Sequence, residues 1–121
     1  MASRIAAHLV IGLLWLLHWL PLPLLAALGR GLGRLLWWGA ASRRHVALTN
    51  LRLCFPELDE TARQRLAREH FGWMGRSLLE RGLLWFASPA RLQRLLEVQG
   101  DLQQGERSAQ PVMWLLPHFA A

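Results

Sequence analysis

His118 stands two residues beyond an uninterrupted apolar run, Val112–Leu116, that is bounded by Pro111 and Pro117. A run of this length without alternation reads as a strand buried on both faces, of the parallel type. In open α/β sheets the carboxyl ends of strands are where ligands and catalytic side chains gather. Imidazole is also the side chain whose ordinary pKa lets it take or release a proton near neutrality. A lone His in such a place is more commonly structural or exposed, so a catalytic role depends on the rest of the chain.

The other chemistry-bearing residues divide less evenly. Arg43 and Arg44 form a pair that could hold lipid phosphates, although membrane topology and attraction to an anionic surface account for them equally well. His8 and His18 are ten residues apart, too far for one helical metal face, and no metal site is expected. His70 falls on an apolar stripe and reads as a packed or capping residue. Cys54 is the single cysteine, which excludes an intramolecular disulfide framework and favours a reducing compartment. Next to Phe55 it reads as a small buried apolar group. Glu80 could line a cleft, or pair with Arg76 or Arg81 one turn away.

These residues must be positioned by a chain of 121 residues, enough for one small domain. It is 53% hydrophobic and 18% charged, too apolar for a disordered tail, and its mean hydropathy of +0.18 leans toward membranes. All fourteen basic residues are Arg. Residues 1–56 hold six of them and no acid, whereas residues 57–121 hold eight Arg and eight acids, so the whole net charge of +6 lies in the front half.

From Ile5 to Gly29 no residue carries a formal charge. That length suits a membrane span, kinked at Pro21 and Pro23 or ending near Leu20 in an interfacial turn. It reads as a retained anchor rather than a cleaved signal, because no well-formed A-x-A site follows and the next segment stays apolar and basic. Five Arg between Arg30 and Arg52 place the bulk of the chain on the cytoplasmic side. Trp37 and Trp38, beside Arg34, Arg43 and Arg44, read as an interfacial belt.

Further along, Pro56 ends a helical stretch at Phe55. Asp59 then caps a new helix with Glu60 in its first turn. Its apolar stripe runs through Ala62, Leu66, His70, Trp73, Met74, Leu78, Leu84 and Trp85 to about Phe86. Gly72, Gly75 and Gly82 within that helix imply the close approach of another backbone. Arg63, Arg65 and Arg68 read as a solvated charged face. Ser88 and Pro89 open a short helix through Leu96. One buried strand after these helices cannot make a sheet, so the chain is expected to be the N-terminal part of a longer protein. The alternative is a helical membrane protein in which Val112–Leu116 is another membrane-seeking segment.

The order of parts resembles the bacterial lipid A late acyltransferases, the lauroyl and myristoyl transferases of lipopolysaccharide assembly. The resemblance rests on Arg43-Arg44 leading into Asn50-Leu51-Arg52-Leu53-Cys54-Phe55-Pro56-Glu57, on Arg68-Glu69-His70-Phe71 and Glu80, and on Leu116-Pro117-His118-Phe119. It implies an N-terminal membrane helix plus a helical base leading into the first strands of an α/β acyltransferase core, this portion being mainly α. The corresponding divisions are residues 1–29 as membrane anchor, 30–58 as a basic interfacial helical segment, and 59–121 as the helical base and start of the core.

The family's catalytic motif is His followed, after four residues, by Asp or Glu. His118 matches the His, and the acid would fall at position 123. The resemblance further implies acyl carrier protein as donor, a phosphorylated glucosamine lipid A precursor as acceptor, no cofactor, and a place at the bacterial inner membrane with its lipids as partners. Without the acid the 121-residue chain is expected to be inactive. Nucleic acid is not expected as a partner, since the basic surplus coincides with the most apolar stretch and no recognition motif is present. The competing reading is a non-enzymatic, membrane-anchored interaction or assembly protein.

Overall fold

The computed structural model describes residues 2–97, 107 and 109–113, and five helices occupy most of them: α1 (Ala2–Leu17), α2 (Leu22–Gly39), α3 (Ala41–Cys54), α4 (Glu60–Phe86) and α5 (Pro89–Leu95). No strand occurs among the described residues. Val112 and Met113 are in no regular element, while Trp114–Leu116 and His118 lie outside the described residues.

The prolines divide the uncharged front into two helices rather than kinking one. After α1, bonds from Trp19 N–H to the Leu16 carbonyl (3.4 Å) and from Leu20 N–H to Leu17 (3.0 Å) tighten the chain into a turn. Pro21 then starts α2, its carbonyl accepting from Leu24 and Leu25 at 3.0 Å, with Pro23 in the first turn where its missing N–H costs nothing. The crossing helix expected over Ile5–Gly29 is therefore not present. The 16 residues of α1 extend about 24 Å, short of a hydrocarbon core of about 30 Å. Among the described residues no helix is long and apolar enough to cross a membrane.

Downstream, the punctuation acts as the residue types dictate. α3 stops at Cys54, before Pro56. Asp59 caps α4 by accepting from Ala62 N–H at 2.7 Å. Ser88 caps α5 by accepting from Arg91 N–H at 3.3 Å, with Pro89 at its first position.

The most extensive contact joins α2 to α4, and it is made of glycine. A Cβ on Gly75 would sit 2.5 Å from the Gly33 nitrogen, one on Gly33 would sit 2.6 Å from the Gly72 Cα, and one on Gly29 would sit 2.8 Å from the Arg76 nitrogen. The two backbones touch because none of these positions carries a side chain. Further along α4, Gly82 similarly admits α1, its imagined Cβ falling 2.6 Å from the Leu14 carbonyl oxygen. Both Gly75 and Gly82 are thus the close approaches their position in a helix implied.

This choice of contact face overturns the expected stripe. The residues of α4 that are buried are Ala67, Phe71, Gly75, Gly82 and Leu83. Leu66, Trp73, Leu78, Leu84 and Trp85 face outward, and so does His70. Small residues let the helices approach to backbone contact, which turns the bulky apolar side chains away from the seam. The conventional core is small: Trp37, Ala67 and Phe71, with Leu48 and Leu51 of α3 against them, and with Trp37 and Phe71 meeting edge to face at 5.5 Å.

Candidate functional site

The glycine seam draws two pairs of arginines together. Arg30 and Arg34 lie one turn apart on α2; Arg68 and Arg76 lie two turns apart on α4. Between the helices they border an open groove of about 630 Å³ whose floor and walls include Trp37, Trp38, Gly72 and Trp73. Its surface is overwhelmingly apolar. Glu69 is the single acid on its border.

Each cation on the α4 side is already held. Arg68 lies over the Trp37 ring at 5.2 Å, and Arg76 lies over Trp73 at 5.1 Å while donating to Glu80 at 2.5 Å. That ion pair is the plainer of the two roles open to Glu80. Arg30 and Arg34, both exposed, make no ion pair among the described residues. The groove therefore joins two uncommitted positive charges to an indole-lined apolar trough, an arrangement that suits an anionic amphiphile.

Arg43 and Arg44, the pair singled out from sequence, are placed differently. Arg44 turns back onto α2, donating to the Trp37 carbonyl at 2.6 Å and lying over the same indole at 5.4 Å, so it satisfies an orphan carbonyl at that helix's end. Arg43 is exposed. Trp37 and Trp38 likewise part company: Trp37 is buried in the core, whereas Trp38 is 76% exposed. The expected belt is thus one core residue and one surface residue.

The segment Asn50–Glu57 builds the corner between α3 and α4. Arg52 reaches across it to both carboxylate oxygens of Glu60, at 3.3 and 3.1 Å, and these bonds hold the Glu60 carboxyl below its usual range. Arg63 donates to the Phe55 carbonyl at 3.4 Å. Leu51 packs on the core. Cys54 is exposed rather than buried, because it is the last residue of α3 on a side that no other helix covers.

At the other end, Arg91 of α5 closes the turn after α1. Its guanidinium donates to the carbonyls of His18 and, at 2.6 Å, Leu20. His18 itself is buried, its Nδ1 bonded to the Trp15 carbonyl and its ring against Trp19 and Phe86. It is a packing residue of this junction. No group of three or more His, Cys, Asp or Glu among the described residues could hold a metal ion.

The family model for the bacterial lipid A biosynthesis acyltransferases matches residues 1–121. The chain belongs to that family. It is 40% identical over 90 residues to the lipid A biosynthesis lauroyltransferase of Escherichia coli strain K12, covering 74% of this chain and 29% of that protein. To the palmitoleoyltransferase of the same organism it is 32% identical over 111 residues, covering 90% and 36%. To its myristoyltransferase it is 37% identical over 98 residues, covering 79% and 29%. The chain thus spans about a third of the length of these relatives. No solved structure matches.

The sequence reading missed the groove. By sequence alone Arg30 and Arg34 read as topology signals, Arg34 also as a neighbour of the Trp belt, and Arg68 as part of a solvated face and of the Arg68-Glu69-His70-Phe71 segment. The available signal was their one-turn spacing astride Gly33, which puts two like charges beside a glycine seam.

Proposed function

We propose that this chain is the N-terminal part of an enzyme that moves a fatty acyl group from acyl carrier protein to a hydroxyl of a lipid A precursor. The observation that carries the reading is the family match over residues 1–121, within which His118 supplies the imidazole of the Leu-Pro-His segment.

The chemistry follows from the groups. A sugar hydroxyl is a weak nucleophile near pH 7, so neutral His118 accepts its proton as the oxygen attacks the thioester carbonyl. The C–O bond forms, the C–S bond breaks, and the imidazolium returns the proton to the departing thiolate. A carboxylate at position 123 would orient the imidazole and stabilise its cationic form. A 121-residue piece holds the base without that carboxylate and is expected to show no turnover.

A place at the cytoplasmic side of the bacterial inner membrane fits the surface of the helical base. Twenty-four large hydrophobic residues are exposed and seven hydrophobics are buried among the described residues, and fifteen of the exposed ones lie in residues 1–56, which also carry the charge surplus. Close helix contacts through glycine with apolar side chains turned outward are the packing expected where the surroundings are themselves apolar.

The test is transfer of labelled acyl chains from acyl carrier protein to a phosphorylated glucosamine lipid, using the full reading frame that carries these residues. His118→Ala is expected to lower the rate by roughly 10²- to 10⁴-fold, the usual worth of a general base, while leaving membrane association intact. Transfer at an undiminished rate would overturn the role of His118. Absence of transfer in the unaltered protein would favour the assembly-protein reading.

A further inference from the structure

We propose that the groove between α2 and α4 is a binding site for the phosphate headgroup of an anionic membrane phospholipid, with Arg30 and Arg34 as its phosphate ligands. The inference does not depend on the chemistry of His118.

Three observations carry it. First, the cations outnumber the acids: Arg30 and Arg34 stand one turn apart on one helix without an ion-pair partner among the described residues, Arg68 and Arg76 face them across the seam, and of the acids only Glu69 borders the groove, with Glu80 paired to Arg76. Like charges at that spacing repel unless an anion lies between them. Guanidinium groups present paired donors that match phosphate oxygens. Second, the trough beside them is apolar and large enough, at about 630 Å³, for a headgroup together with the upper part of an acyl chain. Trp38 and Trp73, 76% and 45% exposed, supply the amphipathic rings that prefer the headgroup level of a bilayer. Third, the described residues expose large apolar side chains widely, among them Leu35 at 71% on the same helix as Arg30 and Arg34. A free phosphate would use only the arginines, and an acidic protein surface would leave the indoles without apolar partners.

The cation–π contacts give the site its shape before any lipid arrives. Arg68 and Arg76 are fixed over Trp37 and Trp73, so they set the field of the groove without swinging onto the phosphate. Arg30 and Arg34 are the donors left to engage it.

Flotation with vesicles of the protein expressed from the full reading frame tests this. Binding to phosphatidylcholine vesicles that contain phosphatidylglycerol is expected to exceed binding to phosphatidylcholine alone. The double variant Arg30→Gln, Arg34→Gln should weaken the former by roughly ten- to thirtyfold, from the usual contribution of two arginines at an anionic surface. Arg81→Gln with Arg94→Gln removes the same charge from exposed positions away from the groove and should weaken it less than about threefold. Arg30→Lys with Arg34→Lys keeps the charge but removes the paired donors and should bind more weakly than the unaltered chain, though better than the Gln pair, and circular dichroism establishes that each variant is helical. Equal losses in the two Gln pairs would reduce the effect to diffuse electrostatics and overturn the site. So would saturable binding of inorganic phosphate to the chain without vesicles, lost in the Arg30/Arg34 Gln pair, together with equal flotation on vesicles with and without phosphatidylglycerol, which would assign the groove to free phosphate. Loss of acyl carrier protein binding in the Arg30/Arg34 variant, with vesicle binding unchanged, would assign it to the protein partner instead.

Discussion

Arg91 shows how much of this fold depends on single polar contacts. The turn after α1 leaves the carbonyls of His18 and Leu20 without helical partners, and one guanidinium from α5, more than seventy residues away, satisfies both. Removing it leaves part-buried acceptors unpaired and detaches α5 from the front of the chain. Arg91→Ala is therefore expected to cost on the order of 1–3 kcal/mol, read as a lower denaturation midpoint and as faster amide exchange near residues 14–20. Arg44 performs the same service at the end of α2. Neither role was legible in the sequence. An arginine's partner is set by which helix end comes to lie beside it, and only the folded arrangement of α1, α2 and α5 decides that.

At the scale of elements, the glycine seam makes a sharp and paired prediction. Gly31 and Gly33 are two residues apart in α2, yet a Cβ at Gly31 meets nothing within 4 Å whereas one at Gly33 collides with the backbone of α4. Gly31→Ala should stabilise the chain by roughly 0.5–1 kcal/mol through helix propensity. Gly33→Ala should destabilise it by about 1–3 kcal/mol or more through overpacking, because the clashing atoms are backbone and cannot rotate away. Thermal denaturation of the two variants measures both signs. The helix ends were legible because Pro56, Asp59, Ser88 and Pro89 act locally. The buried face of α4 was not, because apolar periodicity weights Leu66, Trp73 and Trp85 over Ala67 and Gly75, and here the small residues win the contact. Bringing Arg30 and Arg34 to Arg68 and Arg76 lies equally beyond local pattern, since it needs α2 and α4 to pack.

At the scale of the molecule, the chain is a small helical base with an apolar exterior and a basic front, spanning about a third of the acyltransferases it resembles. The division of charge between its halves, six Arg and no acid followed by balance, was readable directly, and two of the six, Arg30 and Arg34, border the groove. The family was legible from Asn50–Glu57, a segment whose structural work is to hold the α3–α4 corner through Arg52 and Glu60. The expected membrane span was not realised because Pro21 begins a second helix, leaving α1 too short to cross. Acyl transfer to lipid A by the protein that carries these residues is open to mass spectrometry of lipid A from a bacterial host lacking one late acyltransferase and complemented with the full reading frame. Lipid A heavier by one esterified acyl chain is the expected result; lipid A of unchanged mass, with the protein present in the cells, would overturn the proposed function.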